Sequence, residues 1–134
     1  MAPSDADLFA AAETVRDRAY APYSRFRVGA ALLADDGKIY VGANVENAAY
    51  PLGNCAEASA IAAMIAGGGK RIKRIYVTGP GGAPVTPCGG CRQRIREFAD
   101  QDVVVTSHGV DGEPLDMTVA EMLPHSFGPE FLPK

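Results

Sequence analysis

At 134 residues, with 22% charged and 47% hydrophobic, the chain has the size and balance of one soluble globular domain spanning residues 1–134 around a single core. A net charge of −3 and a pI near 5.3 argue against a nucleic-acid surface, which is built from accumulated Lys and Arg. No apolar run approaches the roughly 20 residues that cross a bilayer, and the polar, acidic opening from Met1 to Asp7 does not read as a signal peptide.

In chain order, Ser4 with Asp7 three residues on reads as an N-cap. Leu8, Ala11, Ala12, Val15 and Ala19 follow at helical spacing, which predicts a first helix running to about Tyr20. Pro22 stops it, and Pro22-Tyr23-Ser24 is a turn into extended chain. Residues 28–34 and 38–43 are apolar runs joined by Asp35-Asp36-Gly37, a strong hairpin signal that predicts two antiparallel strands. Residues 44–54 hold too many turn formers for a helix and too little alternation for a strand. They read as a loop of the kind that carries ligand-contacting groups.

From Cys55 the pattern is helical, with Ala56, Ala60, Ile61, Ala63, Met64 and Ile65 forming a small-residue face until Gly67-Gly68-Gly69 ends it. The basic run Lys70-Arg71-Ile72-Lys73-Arg74 is expected to cap that helix end and enter a strand over 74–79. A loop, a helix over 88–98, a strand over 103–107, a turn at Val110-Asp111-Gly112 and a strand over 113–117 come next. Thr118 and Glu121 then make a capping box for a last helix. This order implies a layered α/β fold with a mixed sheet, because parallel pairing needs helical crossovers.

All three cysteines lie in two motifs, Asn54-Cys55-Ala56-Glu57 and Pro87-Cys88-Gly89-Gly90-Cys91. An odd number of thiols at metal-ligand spacing argues against a disulfide framework and for a reducing cytoplasm. Both motifs fall at helix N-termini, where unpaired N–H groups and the helix dipole favour thiolate. Three thiolates suit Zn²⁺, and a three-ligand set leaves the fourth position open to water, as in catalytic sites. Glu57, two residues from Cys55, is placed to take and return the protons of that water without being a ligand. A Cys or His ligand, a neighbouring Glu and Pro-Cys-x-x-Cys together are the known pattern of zinc deaminases.

Five segments in order carry a closer likeness: Pro22-Tyr23-Ser24-x-Phe26-x-Val28-Gly29-Ala30-Ala31-Leu32, Asn44-Val45-Glu46-Asn47-Ala48-x-Tyr50, Cys55-Ala56-Glu57, Pro87-Cys88-x-x-Cys91-Arg92-Gln93 and Leu123-Pro124-x-x-Phe127-Gly128. On these the chain resembles the cytidine deaminases of the small homotetrameric type, from about Tyr20 onward. The resemblance implies a three-layer α/β/α fold with a mixed sheet of about five strands. It also implies one zinc ion per subunit on Cys55, Cys88 and Cys91, with Glu57 as proton shuttle for hydrolytic attack at C4 of cytosine. Phe26, Asn44, Glu46, Tyr50, Ala56 and Phe127 match the substrate-binding set, Asn44 and Glu46 at the ribose 3′-hydroxyl. The implied setting is pyrimidine salvage in the cytoplasm, by a homotetramer whose active sites are completed at subunit interfaces, acting on a small nucleoside with no nucleic-acid or membrane partner. An amide and a carboxylate paired on a sugar hydroxyl reject ligands lacking it, so free cytosine is expected to be a poor substrate.

Other readings stand beside this one. A structural zinc site would add His108 or His125 to the three cysteines, as a non-catalytic metal-binding domain, and Cys88 with Cys91 alone would suit a redox dithiol. Asn44 and Glu46 taken alone suit loop hydrogen bonding, Phe26 and Phe127 core packing, and Tyr50 an interface. A deaminase of a cytosine-containing antibiotic such as blasticidin S would share the zinc motifs. One departure stands out: many members of the family have Arg directly after Cys-Ala-Glu, where this chain has Ala58. Three thiolates and Zn²⁺ sum to −1, so another positive group is expected, from the two helix N-termini or Arg92.

Overall fold

The computed structural model describes residues 3–109 and 113–133. In chain order it contains α1 (Asp5–Arg16), β1 (Gly29–Ala34), β2 (Ile39–Ala43), a 3-10 turn (Tyr50–Leu52), α2 (Ala56–Ala66), β3 (Ile72–Thr78), α3 (Gly89–Phe98), β4 (Val104–His108), β5 (Leu115–Thr118), α4 (Val119–Met122) and a second 3-10 turn (Pro129–Phe131). The strand order is β2-β1-β3-β4-β5. Every neighbouring pair is antiparallel except β3 and β4, which run parallel with α3 as their crossover.

The three layers follow from alternation along β1. Ala30, Leu32 and Ala34 face the larger cluster with Ala56, Ala60 and Met64 of α2 and Ile95 of α3, while Ala31 and Leu33 face Leu8 and Ala12 of α1. The sheet is thus covered on both faces, and β1 is apolar almost throughout.

Ser4 and Asp7 form a complete capping box for α1, and Thr118 with Glu121 does the same for α4. The first helix ends at Arg16, short of Tyr20. Arg18 N–H and Ala19 N–H tighten onto Val15 O and Arg16 O, and Tyr20 is drawn into pairing with the 44–46 segment through Tyr20 N to Asn44 O at 2.9 Å and Glu46 N to Tyr20 O at 2.8 Å. Long-range pairing overrides helical periodicity there. Strand β3 begins two residues before position 74 because Ile72 is buried and pairs with Ala34. The basic run does not cap α2, whose last turn holds no basic residue. Arg71 instead pairs with Asp100, and Arg74 lies between Asp5 and Asp116. The expected turn at 110–112 lies outside the described residues.

One close approach fixes the site. Gly42 of β2 packs directly under α2, and a Cβ there would stand 2.6 Å from Ala56 O and closer still to Ala60 N. Only a residue without a side chain lets the first turns of α2 lie on the sheet. G42A is expected to cost about 1–3 kcal/mol by overpacking, seen as a lower urea midpoint at unchanged slope; a midpoint equal to that of the parent would show that α2 yields without cost.

Candidate active site and metal centre

Cys55 is the N-cap of α2, Cys88 is the N-cap of α3, and Cys91 lies in the first turn of α3. Neither N-cap sulfur is spent on capping its own helix. The two helix N-termini converge, so that the three sulfurs all lie within 4.8 Å of one another. Sulfurs bound tetrahedrally to zinc at about 2.3 Å stand roughly 3.8 Å apart, so the spacing and the soft donor set fit the ion. Among the described residues no histidine joins this group. His108 instead packs edge-on against Phe9, with ring centroids 4.8 Å apart, which removes the four-ligand structural site built on it.

The thiols differ in how readily they ionise. Backbone N–H groups of Cys91 and Gly90, in the first turn of α3, hold Cys88 below the ordinary thiol range. Burial pushes Cys55 and Cys91 upward, and the neighbouring acidic groups add to this. The helix N-terminus thus favours thiolate at Cys88 as expected, whereas at Cys55 burial is the largest influence and raises the thiol.

Glu57 sits in the first turn of α2, 5% exposed. Burial raises its carboxyl above the usual range, against the lowering effects of its own backbone N–H and of the Arg94 charge. A carboxyl held closer to neutrality beside a metal centre can both accept and donate a proton. Arg92 does not supply the expected charge to the thiols, because its guanidinium is bound to Pro87 O at 2.8 Å and Met122 O at 2.7 Å. Arg94 does: its Nη1 donates to Cys91 Sγ at 3.8 Å. Sequence reasoning missed Arg94, although its place three residues after Cys91 on a helix was the available signal.

The 44–54 loop is pinned beside the centre. Val45 and Asn54 exchange both backbone hydrogen bonds, at 2.9 and 2.8 Å, so the loop leaves and returns at one neck next to Cys55. Asn44 ties the neighbouring segment, its Oδ1 accepting from Val28 N and its Nδ2 donating to Phe26 O, each at 2.8 Å. The Glu46 carboxylate accepts from Tyr23 N, Ser24 N and Ser24 Oγ, and these bonds hold it below the usual carboxylate range. Both side chains therefore do the loop work open to them on sequence. Glu46 also lines an open pocket of about 350 Å³ with Tyr23, Ser24, Asn47, Tyr50 and Gly53. Phe26, Tyr50 and Phe127 are exposed, so none is a core residue. Tyr50 leans on Tyr23, and Phe127 stacks on Phe131. Ala56 is fully buried in the core, backbone included, so its expected place among the substrate-contacting residues is not open to a ligand in the single chain; it packs instead against β1 and β2.

The outer side of α3 grips the C-terminal segment, which sequence reasoning did not foresee. Buried Arg96 binds Ser126 Oγ at 2.8 Å and both carboxylate oxygens of Glu130, and Gln93 Nε2 donates to Phe127 O at 2.9 Å.

Residues 3–107 match the family model described as cytidine and deoxycytidylate deaminase zinc-binding region. A cytidine deaminase of Sporosarcina psychrophila is 44% identical over 125 residues, 93% of this chain and 92% of that protein. One of Mycobacterium tuberculosis is 40% identical over 116 residues, 87% of this chain and 84% of that protein. The crystal structure of cytidine deaminase from Burkholderia pseudomallei superposes with a TM-score of 0.88 at 39% identity, covering 93% of this chain and all of that one. No helix among the described residues is long and apolar enough to cross a membrane.

The ionisation pattern sets how metal loading depends on pH. Cys55 and Cys91 are raised above the ordinary thiol value of 9.0 and are protonated at pH 7, so binding as thiolates must release their protons. Zinc affinity is therefore expected to fall as pH falls. Calorimetry at pH 7 in buffers of different ionisation enthalpy is expected to show at least about two protons released per zinc, and release of clearly fewer would contradict the assigned protonation of Cys55 and Cys91.

Proposed function

Because the chain belongs to the cytidine and deoxycytidylate deaminase family, we propose that it hydrolyses cytidine and 2′-deoxycytidine to uridine and 2′-deoxyuridine, with release of ammonia. Residues 1–134 act as one zinc-bearing unit in this reading. The observation that carries it is the placement of Glu57. A buried carboxyl two residues from one thiol of a three-sulfur cluster has no use in a closed structural site, and it suits proton transfer beside an open one. An antibiotic deaminase would also have the cluster, but the paired Asn44 and Glu46 favour a nucleoside.

Cys55, Cys88 and Cys91 hold the zinc, which when bound supplies Lewis-acid activation of the attacking water. Glu57 takes one proton from that water and delivers it to N3 as oxygen adds to C4. It then passes the second water proton to the exocyclic amine, so that ammonia leaves and the carbonyl of uridine forms. Asn44 and Glu46 receive the ribose 3′-hydroxyl. Each atom of the Asn44 amide retains a free valence beyond its loop bond, and Glu46, with three hydrogen bonds accepted, keeps an acceptor site. Phe26 lines the nucleoside pocket in this reading.

Decay of substrate absorbance tests the activity with cytidine, deoxycytidine, cytosine and CMP, the two nucleosides being turned over and free cytosine poorly. In the same assay E57Q is expected to bind stoichiometric zinc yet lose more than about 90% of turnover, because the amide keeps the shape and removes the proton carrier. Retention of a tenth of parental turnover would remove Glu57 from the shuttle role.

The working form in this reading is a cytoplasmic homotetramer serving pyrimidine salvage, with Tyr50 and Phe127 at the subunit interfaces and Phe127 closing a neighbour's pocket. The exposure of Tyr23, Phe26, Tyr50, Phe127 and Phe131 on one chain supports it, since large exposed aromatics in number mark contact surfaces. Mixing inactive E57Q with inactive F127A is expected to restore activity in hybrids, measured after subunit exchange. Sedimentation of the active parent as a monomer would defeat the assembly.

A further inference from the structure

Arg94 is an exposed residue of α3 with an inward task. Its position three residues after Cys91 puts both on one helix face. Among the described residues it joins no salt bridge, and its one side-chain hydrogen bond goes to Cys91 Sγ at 3.8 Å. Its charge also reaches the buried Glu57 carboxyl. Arg94 and Ala58 line the same crevice between α3 and α2, with Ile61, Ala62, Glu97 and Phe98.

Three thiolates around a divalent ion leave an excess charge of −1, and in a partly buried site such an excess opposes both ligand ionisation and metal retention. The first-turn N–H groups of α3 act on Cys88, and Arg92 is bound to carbonyls. Cys91, the most buried of the three, has the Arg94 guanidinium. We propose that Arg94 is a positioning residue of the metal centre: it balances the thiolate set and orients Cys91 from α3, in place of a cation at position 58 on α2. The proposal rests on the zinc-site reading above and adds to it the source of the compensating charge.

The test is the zinc affinity of the full chain, measured by competition with a chromophoric chelator and independent of turnover. Loss of a group that orients a metal ligand lowers affinity by about 10- to 100-fold, which is the effect expected for R94Q. R94K keeps a cation and a single donor and is expected to stay within about threefold of the parent. The double variant A58R/R94Q returns a cation to the same crevice from the other helix and is expected to recover about tenfold over R94Q. A role confined to packing of α3 would not be repaired from α2. R94Q with parental affinity overturns the proposal, and so does a double variant as weak as R94Q. If the parent itself holds no stoichiometric zinc, the site reading fails and this proposal with it; a zinc-loaded, active parent with an unaffected R94Q removes the proposal alone.

Discussion

Three sulfur atoms cannot be gathered in a partly buried cluster and all carry charge unless something positive stands among them. Metal, helix termini and a guanidinium are the means available here. The fold supplies the first condition by aiming the N-termini of α2 and α3 at one point, which brings sequence-distant Cys55, Cys88 and Cys91 within 4.8 Å. Burial then works against ionisation at Cys55 and Cys91, while backbone N–H groups favour it at Cys88. The centre is therefore a place where ionising the ligands counts against the binding of a cation, so that every nearby positive group that favours the thiolates adds to its hold.

The scaffold around this point is rigid for simple reasons. A sheet covered on both faces gives α2 and α3 fixed platforms, and Gly42 lets α2 lie close on β2. The loop that presents Asn44 and Glu46 is locked at its neck by Val45 and Asn54, and its side chains bind the neighbouring 23–28 segment. Local hydrogen bonding at Asn44 and Glu46 and ligand binding are not rival uses. In the proposed reading, the first holds the remaining donor and acceptor sites in place for the second.

Most of this architecture was legible in the chain. Capping boxes at Ser4 and Thr118, the Asp35-Asp36-Gly37 hairpin and the glycines after α2 are local chemistry, and local chemistry can be read one segment at a time. What was not legible came from long-range partners. Tyr20 was drawn from its helix by residues 44–46, and Arg71 and Arg74 found acids from distant segments instead of the end of α2. In the site, the cysteines and Glu57 announced themselves by spacing, but the choice between Arg92 and Arg94 did not. Both lie on α3 near Cys91, and only the packing of Arg92 against Pro87 and Met122 shows which guanidinium is free to serve the sulfur.

The grip of α3 on the C-terminal segment has a consequence for the length of the chain. Arg96 is a buried cation whose counter-charge, Glu130, and hydroxyl partner, Ser126, both come from that segment. A truncation before Ser126 would strand a guanidinium in a desolvated setting on the same helix that bears two of the three sulfurs. The terminal residues are thus the lid on an ion, and loss of them would be felt at the metal by way of the helix they share.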